Sequence, residues 1–306
     1  MTDFAIPELH EEIRQATARF AREVLTPAAP GIDEGGPIPA AVGGALAELG
    51  LWGLTAAEDR GGLGLDGLAY ALVVEALAEG SPSVARRLAT HAGPGLAGLS
   101  ATDWDLDPYC AGEAFVSYVP APGALAVAPA DAWVTPEGVG REATTEAVDP
   151  MGQRGAGLAK VEVGTVSGPA HPAVRAWDDL GAAALALGSG RAALRAAIAY
   201  AHERAQFGKP LAKFQAIQWK IADAATALDA AELLVHRAAV SLDAVHAATA
   251  RTVAVRSGLE AADHALQIHR GYGFTREYPV EKHLRSVRMM ATGDRGRVQV
   301  AAARLG

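Results

Sequence analysis

Apolar residues recur at helical spacing toward both ends of the chain, and short β-prone runs occupy the stretch between them. Over 6–24 the pattern predicts a helix with acidic residues early, stopped by Pro27. A second helix is predicted over 39–49, where Pro39 stands at the start. A third is predicted over 68–77, between the loop at Gly61, Gly62 and Gly64 and the turn Gly80-Ser81-Pro82. From about 109 to 176, runs at 114–119, 124–127 and 161–166 are broken repeatedly by Gly and Pro and predict a small antiparallel β unit. At about 70 residues it sits near the low end for an independent domain. Helical periodicity returns beyond Asp179, over 182–204, 211–242 and 252–268, then over 279–290 and 295–305. Phe214, Ile217, Ile221, Leu228 and Val235 form one stripe, and Gly271 and Gly273 close the 252–268 helix. The expected fold is mainly α: an N-terminal helical domain over 1–108, a shortened β domain over 109–176 and a C-terminal four-helix bundle over 177–306.

Composition narrows the function classes. With 306 residues, half apolar and a fifth charged, the chain has an ordinary globular make-up and can bury a sizeable core. A formal charge of −8 argues against broad binding to nucleic acid or anionic membranes, which needs a basic face. No apolar run reaches the length of a membrane span, and the acidic N-terminal stretch does not read as a signal peptide. Cys110 stands alone, without metal-ligand spacing around it. The expectation is a soluble cytoplasmic protein.

Generic motifs are few. Gly62-Leu63-Gly64-Leu65-Asp66-Gly67 matches G-x-G-x-x-G, but no buried strand precedes it, so it reads as a loop between helices. Asp243 and His246 have the spacing of two metal ligands on a helix. A di-metal bundle needs a second such pair and further carboxylates, so a solvated helix face is the expectation and no metal is assigned. No Ser or Cys has a nucleophile context.

The informative residues form two clusters. One is Glu203-Arg204-Ala205-Gln206-Phe207-Gly208-Lys209-Pro210 with Phe214-Gln215; the other is Gln267-Ile268-His269-Arg270-Gly271-Tyr272-Gly273-Phe274, followed by Glu277-Tyr278-Pro279-Val280-Glu281-Lys282 and Arg285. Each is a helix end with a Gly turn beside Arg or Gln. Such a place can bind an anion through a guanidinium fork and exposed N–H groups, or it can be a plainly capped terminus.

These clusters resemble the acyl-CoA dehydrogenase family, whose bundle carries R-x-x-F-G followed by F-Q, then Q-I-x-G-G-x-G-[FY] and E-Y-P-V-E-[KR]. Glu58 with Gly61-Gly62-Leu63-Gly64, and Glu75-Ala76-Leu77-Ala78 with Ser81-Pro82-Ser83, resemble the same family's N-terminal part. The resemblance covers roughly 1–105 and 178–304. It implies dimers of dimers with FAD bound across a subunit interface. Carried over residue by residue, the cofactor-binding candidates are Arg204, Gln206, Phe207, Gln215, Gln267 and Gly271, reaching a flavin held mainly by the neighbouring chain.

Departures from the family pattern are selective. The catalytic Glu of most members falls at Asp294, within Gly293-Asp294-Arg295-Gly296, and an alternative position used by some members falls at Asp178, beside Asp179. Aspartate is one methylene shorter, and a displacement of about 1 Å costs a general base on the order of 10²-fold. A surface or capping role is the expectation for Asp294, and an N-terminal helix cap for Asp178. The central segment lacks the T-E-P-x-x-G-S-D stretch that covers the flavin, and Arg270 replaces the first Gly of the G-G pair. What is lost serves a chain's own flavin and substrate; what is kept serves a neighbour's. The pattern is similar to the truncated subunit of paired actinobacterial dehydrogenases of steroid side-chain type. It implies a heteromer (α2β2) with a homologous catalytic chain that holds most of the acyl-CoA. The alternatives are a homomeric dehydrogenase with Asp294 or Asp178 as base, and a scaffold without flavin.

Overall fold

A computed structural model describes residues 6–169, 171–291 and 295–305 as a mainly helical molecule with a smaller β part. α1 (Glu8–Phe20) passes through a π-helical turn, Ala21–Leu25, straight into α2 (Thr26–Asp33). The expected stop at Pro27 is thus corrected. The wide turn shifts the hydrogen-bond register just before Pro27, with the Thr26 N–H and Oγ1 both donating to the Ala21 carbonyl, Oγ1 at 2.9 Å, so the helix continues past a residue that has no N–H to donate.

After α3 (Ala40–Glu48) comes α4 (Gly67–Gly80), in which every residue from Gly67 to Ala78 is buried. Asp66 sets its start: Oδ1 accepts from the N–H groups of Leu68 and Ala69, each at 3.0 Å. Gly67 is a packing glycine, since a Cβ there would lie 2.3 Å from the Ala239 carbonyl oxygen. The G-x-G-x-x-G match therefore ends in a helix cap and a close helix crossing. α5 (Pro82–Thr90) starts with Ser81 as cap and Pro82 in the first turn. α6 (Leu96–Ser100) and α7 (Asp107–Cys110) complete this half.

The β part consists of two three-stranded sheets. β1 (Val116–Tyr118) pairs in parallel with β3 (Ala132–Val134), which pairs antiparallel with β4 (Val139–Gly140). β2 (Ala124–Val127) and β5 (Ala143–Ala147) flank β6 (Leu158–Val163), both antiparallel to it. The expected wholly antiparallel unit is corrected at β1 and β3. The intervening β2 leaves for the second sheet, so the chain re-enters the first sheet in its original direction. Val119, Ala126, Trp133, Ala159 and Val161 form the apolar layer here.

α8 (Val174–Glu203) begins well before the predicted 182, and a hairpin of β7 (Ala205–Gln206) and β8 (Lys209–Pro210) links it to α9 (Gln215–Ser241). α10 (Ala244–His269), α11 (Val280–Met290) and α12 (Arg295–Leu305) follow. α8, α9, α10 and α11 pack on one another as a bundle. α8 and α10 approach closely because small residues line the crossing; a Cβ on Gly190 would lie 2.8 Å from Gly258 Cα. Arg285 ties this bundle to the rest of the molecule, donating to Asp33 on α2, to Glu281 and to the Met151 carbonyl, each at 2.6 Å.

Candidate functional site

The two sequence clusters meet at one end of the bundle. α8 stops at Glu203, and the N–H of Arg204 still donates to the Tyr200 carbonyl at 2.8 Å while its backbone turns extended. The hairpin that follows turns over Phe207 and Gly208, both with positive φ (50° and 77°), the geometry two-residue hairpin turns require. This thrusts Phe207 outward, 89 % exposed, with its ring edge-on to Phe214. The second cluster closes α10: Gln267 sits exposed in the last turn, and Arg270 to Phe274 form a 3-10 turn. Arg270 Nη1 donates to Gln206 Oε1, joining the clusters at the surface. Beneath them Tyr200 stacks on His269 at 4.3 Å, and Tyr278 packs against both rings.

Four of the six cofactor candidates therefore lie in or beside one structural unit: Arg204, Gln206, Phe207 and Gly271. Gln267 stands one turn before it, and Gln215 opens the helix after the hairpin. Arg204 is exposed, and among the described residues its guanidinium has no carboxylate within ion-pairing distance, Glu203 included. Beside Gly271 a Cβ would meet nothing within 4 Å, so the surface there is open to close approach. His269 adds no charge. Its Nδ1 donates to the Ala265 carbonyl at 2.8 Å, and burial lowers its pKa, keeping the ring neutral. The positive character of this face comes from Arg204, Arg270 and Lys209, whose Nζ lies 4.4 Å over the Phe214 ring. An exposed guanidinium, the exposed amides of Gln215 and Gln267 and an open glycine backbone suit a diphosphate.

A second feature is a partly open pocket. A cavity of about 290 Å³ is lined by Arg86, Leu125, Gln153, Leu158, Asp178, Arg251 and Met290, where α5, α8, α10, α11 and the β part converge. Asp178 lies in the second turn of α8 and is 6 % exposed, which corrects its expected role as a helix cap. One of its oxygens faces Arg86 at 3.9 Å and the other faces Arg251 at 3.5 Å, while Arg251 also grips buried Asp179 at 2.8 Å. Both carboxylate oxygens are thus turned to guanidinium groups. Asp294 lies outside the described residues. Sequence reasoning missed Arg86 and Arg251, since neither stands in a motif and both are far from Asp178 along the chain.

The pair Asp243 and His246 has a structural explanation. Asp243 Oδ1 accepts from the N–H groups of Val245 and His246 at 2.9 Å each and caps α10, and the His246 ring bonds to Arg237 and Ser241.

The family model for "Acyl-CoA dehydrogenase, N-terminal domain" matches residues 7–101 and that for "Acyl-CoA dehydrogenase, C-terminal domain" matches 178–305, together well over half of the chain. The chain belongs to the acyl-CoA dehydrogenase family. It is 29 % identical to the mitochondrial short-chain specific acyl-CoA dehydrogenase of Bos taurus over 355 positions, covering 93 % of this chain and 86 % of that one. The alignment is longer than the chain itself, so the bovine protein carries residues that this one lacks. Benzylmalonyl-CoA dehydrogenase of Aromatoleum aromaticum is 49 % identical over 115 residues, 36 % of this chain and 30 % of that protein. In fold, butyryl-CoA dehydrogenase from Megasphaera elsdenii superposes with a TM-score of 0.86 at 24 % identity over the whole of both chains. Acyl-CoA dehydrogenases are FAD-binding flavoproteins of an oxidoreductase family. Among the described residues no helix is long and apolar enough to cross a membrane.

Proposed function

We propose that this acyl-CoA dehydrogenase chain is the non-catalytic subunit of a heteromeric, cytoplasmic α2β2 enzyme. It completes the FAD site of a homologous catalytic partner that binds most of the acyl-CoA. The observation that carries the proposal is a contrast between two charged regions. Inside the chain's own cavity Asp178 faces Arg86 and Arg251, whereas Arg204 at the bundle end points outward with no acidic partner among the described residues.

Bound FAD supplies hydride acceptance from the acyl β-carbon during α,β-desaturation. This chain's contribution is binding. Arg204 offers a planar fork of donors to the diphosphate, Gln206, Gln215 and Gln267 offer amides, Phe207 offers an apolar face, and Gly271 allows backbone approach. A carboxylate of the partner removes the α-proton. The resemblance to paired actinobacterial dehydrogenases extends the proposal to a steroid side-chain thioester as the acyl group.

One observation favours a second reading, a homomeric enzyme with Asp178 as base: Asp178 lines the cavity. Expressing the chain alone and then with its catalytic partner separates the two. On the proposed reading the chain alone is colourless and inactive, and the flavin spectrum appears only with the partner. Stoichiometric flavin and turnover from the chain alone would support the homomeric reading, and no flavin in either preparation would leave a scaffold.

A further inference from the structure

We propose that Arg270 is a second ligand-contacting guanidinium on the diphosphate face, binding the same phosphate-bearing molecule as Arg204. The inference rests on the cofactor reading above and deepens it by assigning a residue that the family pattern fills with glycine.

The first support is the backbone. Arg270 adopts φ +57° and ψ −133°, a conformation that glycine enters freely and side-chain-bearing residues rarely adopt. The turn has kept its glycine geometry while the side chain has changed. Strain of this kind persists where surrounding structure or function holds it, and it clusters at binding sites. A residue selected only to end α10 would be glycine or asparagine.

The second support is how the guanidinium is used. Arg270 is exposed, and its bond to Gln206 engages a neutral amide oxygen rather than a carboxylate. Glu277 follows Arg270 in the same cluster and Glu203 opens the facing one, yet neither forms an ion pair with Arg270 among the described residues. A guanidinium has five N–H donors, so most of its capacity remains for a ligand. The bond also orients Gln206. With Oε1 held by Arg270, the amide NH2 is left to donate outward, so one side chain places two kinds of donor on the face. Neutral His269 directly before it leaves the local charge to the arginines.

The test uses the tagged chain and its assembly isolated from the native host, stripped of flavin and titrated with FAD, for the unaltered protein and for Arg204→Ala, Arg270→Lys and Arg270→Gly. Arg270→Gly is expected to weaken FAD binding five- to tenfold, the scale of one charge-assisted contact. It should also raise the chain's unfolding midpoint by about 1–2 °C, because glycine relieves the positive φ. Arg270→Lys, with charge but no fork, should fall between. A structural tie would not produce weaker binding together with higher stability. If Arg270→Gly leaves FAD affinity within twofold while Arg204→Ala weakens it, the role of Arg270 is overturned and the cofactor reading stands. A lower midpoint for Arg270→Gly would reassign Arg270 to structure. If neither Arg204→Ala nor Arg270→Gly changes affinity, the cofactor reading itself fails.

Discussion

Arg204 and Asp178 are both charged residues near helix ends in the sequence, yet their surroundings assign them opposite fates. A guanidinium at a diphosphate makes charge-assisted bonds worth roughly 1.5–3 kcal/mol each, whereas a surface ion pair contributes less than about 1 kcal/mol. Arg204→Ala is therefore expected to weaken FAD retention at least about tenfold with the assembly intact, since about 1.4 kcal/mol is one decade. Flavin content and native mass of the purified complex check this; full occupancy would make the motif a relic. Asp178 has both oxygens turned to arginines, so Asp178→Asn is expected to leave turnover of the assembled complex nearly unchanged. A fall of about a hundredfold, the scale of a lost general base, would place the base in this chain after all.

Between elements, the bundle is held by close crossings and one buried charge network. Gly67→Ala drives a Cβ onto the Ala239 carbonyl, so α4 must move away from α9 at a cost of about 1–3 kcal/mol. Gly271→Ala meets open space, so its urea midpoint should be unchanged while FAD binding falls. Equal destabilisation by the two would mean that the bundle end is not the open face described here. Arg191 on α8 sits between Glu75 on α4 and Glu232 on α9, 2.5 Å from the first and 2.9 Å from the second. Burial pushes the Glu75 carboxyl up to about 7, against the pull of Arg191. With the folded value above the unfolded one, the folded state binds the proton more tightly. Stability from this group is full below about 4.5 and is lost as pH rises toward 7. Chemical unfolding at pH 5 and pH 8 should show Glu75→Gln losing less stability than the unaltered chain, by on the order of 2–3 kcal/mol. Parallel pH profiles would contradict it.

At the scale of the whole molecule, the parts legible in the sequence were those encoded locally. The helical ends of the chain and the two bundle clusters could be read from periodicity and spacing, and the clusters do lie together in space. Glu75 could also have been found, as the single acid inside the apolar run 68–77. The parallel pairing of β1 with β3, the helix running through Pro27 and the arginines around Asp178 were not legible, because each is settled by a partner distant in sequence or by a shift in register. α9 leaves Trp219, Leu233 and Val240 exposed, an apolar strip of the kind that marks a contact surface. Together with the outward Arg204 it supports a chain that acts only beside another. The most direct check is native mass spectrometry of the tagged chain's complex purified from its host, with flavin counted in the same spectrum. The account predicts two copies of this chain with two of a homologous dehydrogenase, and FAD lost together with the partner. A flavin-loaded, active tetramer made of this chain alone would contradict it.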